Sequence, residues 1–104
     1  MYNNPELTKR LVAVWKKTLG DDNVEIVDPT MGGEDFSEYG LPDHSIPAVN
    51  FHFGAVDPAK IAESKKTGKE LPSLHSSKFA PVPEPTIRTA IIGMTVAVLD
   101  LMKK

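Results

Sequence analysis

Two short stretches of this 104-residue chain carry residue types that can do chemistry. The first is PSLHSSKF at 72–79, with His75 near its centre. An imidazole there can ligate a metal or act as a general base, and Ser76 and Ser77 give it small, polar neighbours. The second is MGGEDF at 31–36. Gly32 and Gly33 can take positive φ and let a ligand approach the backbone. A helix beginning at Glu34 turns free N–H groups toward that path and favours an anion such as a carboxylate. Glu34 and Asp35 could move protons, but adjacent side chains diverge, so a paired-carboxylate site is not expected.

Neither stretch is specific alone. A lone loop histidine is more often a surface residue than a ligand, and a glycine pair before acidic residues is more often a turn. A catalytic zinc needs about three protein ligands. His44, His52 and His75 are the only histidines, and their spacing does not make them converge. Spacing leaves the role of His75 open.

The elements that must position these residues are legible to different degrees. Asn4 suits an N-cap, Pro5 the first helical position and Gly20 a C-terminal stop, so a helix is expected between them. Leu7, Leu11, Val14, Thr18 and Leu19 share one face of it, widened by Val12 and Trp15, and this stripe reads as core. VEIVD at 24–28 reads as a short strand after the turn GDDN. IPAVNFHFGAV at 46–56 alternates, with Val49, Phe51 and Phe53 on one face, and reads as a second strand. A weaker helix is expected around 58–66, then a turn-rich stretch in which Leu71, Leu74 and Phe79 argue for a packed loop. The closing segment, about 85–103, repeats Ile87, Ile91, Met94, Val98 and Leu101 at helical spacing. Ile92, Thr95, Leu99 and Met102 broaden that face, so this helix is expected to be heavily buried, against a sheet. Helices alternating with strands point to an α/β layered sheet.

Composition bounds the function. With 40% hydrophobic and 25% charged residues the chain reads as one ordinary globular domain. A formal charge of -2 gives no electrostatic reason to expect nucleic acid or an anionic membrane as partner. Lys65, Lys66 and Lys69 are interleaved with Glu63 and Glu70, the pattern of a solvated face. The absence of cysteine excludes disulfides and thiolate zinc sites. MYNNPELTKR has no basic segment followed by an apolar one, so no signal peptide is expected. The apolar run at 90–99 ends at Asp100, too short for a bilayer span, and a soluble, cytoplasmic chain is expected.

Taken together and in order, PTMGGEDFSEYG, the segment ending FHFGAV, LPSLHSSKFAPVPEPTIRTAI and the hydrophobic closing helix resemble the C-terminal end of the co-catalytic metallo-amidohydrolases. That group contains hippurate hydrolases, N-acyl-amino-acid amidohydrolases, indole-acetyl-amino-acid hydrolases and related carboxypeptidases. YNNPELTKRL also resembles the helix with which those enzymes re-enter their catalytic domain after an inserted lid domain. The resemblance covers essentially the whole of residues 1–104 and is specific in the combination of its two motifs.

The resemblance implies that His75 ligates one of two divalent ions (Zn, Mn, Co or Ni). It implies that Gly32, Gly33, Glu34, Asp35 and Phe36 line the site and help receive the substrate carboxylate. The implied reaction is hydrolysis of the amide in an N-acyl amino acid, with the ion pair polarising the carbonyl and activating a bridging water. The family's other ligands are a motif containing cysteine or aspartate, a Glu-Glu pair whose first member is the general base, and a further histidine. None of these is present, nor is the lid domain that supports dimerisation. The expectation is an incomplete layered sheet with flanking helices. It forms the C-terminal part of a catalytic domain that is inactive alone and is completed by an N-terminal part. A small non-catalytic domain that binds a carboxylate or a partner protein is the competing expectation.

Overall fold

A computed structural model describes residues 2–29, 32–40 and 45–103. Three α-helices account for most of its regular structure: α1 (Pro5–Leu19), α2 (Pro58–Thr67) and α3 (Pro83–Leu101). Two 3₁₀ segments, Asp21–Asn23 and Asp35–Gly40, lie between α1 and α2. The chain divides into two units, Met1–His52 with Gly93–Lys104, and Phe53–Ile92.

In the first unit, local chemistry sets both ends of α1. The Asn4 side chain accepts from the Leu7 N–H at 2.9 Å, Pro5 follows it, and Glu6 complements the positive end. Lys16 and Lys17 occupy the last turn, and Gly20 stops the helix at φ 93°, a left-handed value that glycine adopts at little cost. Its N–H closes onto the Lys16 carbonyl at 2.9 Å. The apolar stripe then buries Leu11 and Trp15, which meet Ala97 of α3. Leu7, Val12, Leu19, Val24, Val49, Phe51 and Val96 surround them, half-buried. α3 offers this contact small residues, the buried Gly93 and Ala97, so the Trp15 ring can approach its backbone closely. Arg10 fastens the far end, its Nε donating to Asp100 Oδ2 at 2.7 Å and its Nη2 to the Asp100 carbonyl at 2.6 Å.

In the second unit, Asp57 caps α2 through a 2.8 Å bond from the Ala59 N–H, and Pro58 takes the first position. Gly68 ends it in the left-handed region, φ 71°. The start of α3 is tied to the 54–55 segment: the Val82 N–H donates to the Ala55 carbonyl at 2.8 Å, and Thr86 Oγ1 to that of Gly54 at 3.2 Å. No residue of Phe53–Ile92 is buried. Some 40 residues without a buried side chain have no hydrophobic core of their own.

The expected α/β layered sheet is not formed: among the described residues there is no strand. Alternation in VEIVD and IPAVNFHFGAV marks a face, but a strand also needs a neighbour to complete its ladder. At 48–50 the main chain bonds elsewhere. The Asn4 N–H donates to the Ala48 carbonyl at 2.9 Å, and the Asn3 side-chain amide both accepts from and donates to the Asn50 backbone, at 2.8 and 2.9 Å. Val24 is extended, with φ -127° and ψ 108°, yet Ile26 stands 77% exposed.

The expected burial of α3 is corrected by the same fact. With no sheet to receive them, Ile87, Ile91, Met94, Val98 and Leu101 are exposed, as are Ile92, Leu99 and Met102. A helix that is apolar on nearly every side belongs in a buried setting. Here only its small-residue face is covered. Among the described residues no helix is long and apolar enough to cross a membrane.

Candidate functional site

His75 sits in a tight double turn built by its serine neighbours. The Ser76 N–H donates to the Ser73 carbonyl and the Phe79 N–H to that of Ser76, both at 3.0 Å. Ser76 Oγ accepts from the Lys78 N–H at 3.1 Å. Small polar residues after the histidine therefore fold the chain back on itself and leave the imidazole at the turn's surface. His75 is exposed, and no hydrogen bond reaches its ring among the described residues. Of the three apolar residues expected to pack this loop, Phe79 is half-buried but Leu71 and Leu74 are exposed.

Beside this turn lies an open groove of about 580 Å³. α2 contributes Lys60, Glu63 and Thr67 to it, and the following segment Lys69, Ser76 and Lys78. His75 does not line it. No signal in the sequence marks this groove, since its charges alternate like those of any solvated face. The groove is open and its lining mixes apolar stems with charged ends, so it lacks the enclosed form of a ligand site.

In the other unit, Gly32, Gly33, Glu34, Asp35 and Phe36 are all exposed. The expected short helix is present as the 3₁₀ segment Asp35–Gly40, in which Ser37 donates to the Glu34 carbonyl from its N–H at 3.2 Å and its Oγ at 2.8 Å. Glu34 Oε1 accepts from the Phe36 N–H at 3.0 Å. A carboxylate of the chain itself thus occupies a donor that was expected to face a ligand carboxylate. Gly33 keeps an ordinary φ, and a Cβ there would meet nothing within 4 Å. The Phe36 and Tyr39 rings pair with centroids 5.4 Å apart. Thr30 and Met31, which precede the glycines, lie outside the described residues, as does His44.

The two motifs belong to different units, each with its own local order. Among the described residues no three His, Cys, Asp or Glu side chains gather where they could hold a metal ion. One exposed imidazole does not make a metal centre, which takes three or more donors. The residues described here therefore do not fit the expected pair of ions by themselves. The Asp100 carboxyl is held below its usual range by hydrogen bonds from Arg10 and then Lys103. That cluster ties α3 to α1 and touches neither motif.

No protein-family model matches the sequence, and neither a curated protein nor a solved structure matches it.

Proposed function

We propose that this chain is one part of a metal-dependent amidohydrolase of the hippurate-hydrolase and N-acyl-amino-acid amidohydrolase kind, inactive alone. The observation that carries the reading is the ordered pair of motifs, MGGEDFSEYG at 31–40 and PSLHSSKF at 72–79, followed by an apolar helix. His75 is the one metal-ligand residue this chain supplies, and Gly32–Phe36 is the stretch that meets the substrate's carboxylate. The other ligands of the two divalent ions (Zn, Mn, Co or Ni) and the general base come from outside these residues. Two features support an incomplete catalytic unit: the exposed apolar sides of α3, and the absence of any buried residue in Phe53–Ile92. The complete enzyme is read as a cytoplasmic homodimer.

The test is hydrolysis of N-benzoylglycine with each of the four metals. The purified chain is expected to release no benzoate. The same chain joined to the coding sequence immediately upstream of Met1, or mixed with a separate upstream polypeptide, is expected to release it. Metal-dependent turnover by residues 1–104 alone overturns the reading, and so does an upstream sequence without further metal ligands or a Glu-Glu pair.

The exposed apolar residues of α3 also favour a second reading, a non-catalytic domain that binds a partner protein or a carboxylate. It requires binding that survives His75→Ala and a cooperative melt of the isolated monomer.

A further inference from the structure

We draw no further inference here: the strongest candidate, the uncovered apolar face of the closing helix along Ile87, Ile91, Met94, Val98 and Leu101, carries nothing because no feature of the structure shows what covers it.

Discussion

The indole N–H of Trp15 donates to the carbonyl of Gly93 across a buried contact of 2.9 Å. The acceptor is a main-chain oxygen in the middle of α3, reachable because neither Gly93 nor Ala97 carries a bulky side chain. On its other side the indole stacks at a tilt on Phe51, with centroids 4.4 Å apart. One residue therefore joins α1, α3 and the segment at 49–51, and among the described apolar side chains only Leu11 and Ala97 share its degree of burial. Trp15→Ala is expected to cost about 3–5 kcal/mol, comparable with the whole stability of a small domain. Trp15→Phe keeps a ring against Phe51 but loses the hydrogen bond and part of the indole's buried contact, about 1–2 kcal/mol. Urea denaturation separates the two; equal losses from both variants would show that the bond, not the packing, dominates.

Asn4 does two things at the start of α1. Its side chain caps the Leu7 N–H, and its carbonyl accepts from Thr8 Oγ1 at 2.7 Å as well as from the Thr8 N–H at 2.9 Å. Asn4→Ala removes only the cap and should destabilise by about 1 kcal/mol, whereas Asn4→Asp should hold its own beside the helix dipole. Thermal melts followed by circular dichroism check the ordering, and an Asp variant as weak as Ala would contradict it.

The Asp100 carboxyl is held low by hydrogen bonds from Arg10 and then Lys103. A depressed folded-state value means that the stabilisation is fully present above the unfolded carboxylate's pKa, about 3.9. It is lost as pH falls below that value and through the lower folded one. Stability measured from pH 6 downward should therefore decline more gently below pH 4 in Asp100→Asn than in the parent. Identical acid limbs would show that the ion pairs with Arg10 and Lys103 are spectators. Salt should weaken the parent's advantage, since Arg10 is half exposed.

The helices were legible because their determinants are local. Asn4, Pro5 and Gly20, and likewise the proline and glycine around α2, act within a turn of where they stand. The expected sheet does not follow from alternation, because pairing is not local. Val49, Phe51 and Phe53 alternate as a strand would, but Asn3 and Asn4 take the main-chain groups at 48–50. The periodicity of α3 marks a helix but not its burial, since it reports which residues are apolar and not whether anything covers them. At the candidate site, residue types draw attention to His75 and the glycine pair but say nothing of what surrounds them. That Glu34 would turn back on the Phe36 N–H has no signal in residue type, because a carboxylate before a helix suits either a cap or a catalytic acid.

Ile91 and Leu99 are 62% and 60% exposed, so replacing them should cost the isolated chain little. Ile91→Gln and Leu99→Gln are each expected to shift stability by no more than about 0.5 kcal/mol. The pair together should reduce self-association and binding of a hydrophobic dye, because contiguous apolar surface drives both. Sedimentation and dye fluorescence read this out. A loss well beyond 1 kcal/mol from either single variant would mean that these side chains are covered in solution.

His75 and Glu34 offer opposite tests of the proposed site. The His75 ring makes no hydrogen bond among the described residues, so His75→Ala should leave the isolated chain's stability within about 0.5 kcal/mol. In the completed enzyme the same change should lower both bound metal and turnover. The expected drop in turnover is at least about 100-fold, since even partners outside the ligand shell are worth 10–100-fold. Glu34→Ala frees the Phe36 N–H and removes a negative charge from the approach of a substrate carboxylate. It should lower KM for N-benzoylglycine if that stretch receives the carboxylate, while leaving metal content unchanged. Unaltered metal binding in His75→Ala removes the histidine from the site. An unchanged KM in Glu34→Ala leaves Gly32–Phe36 as a capped surface turn.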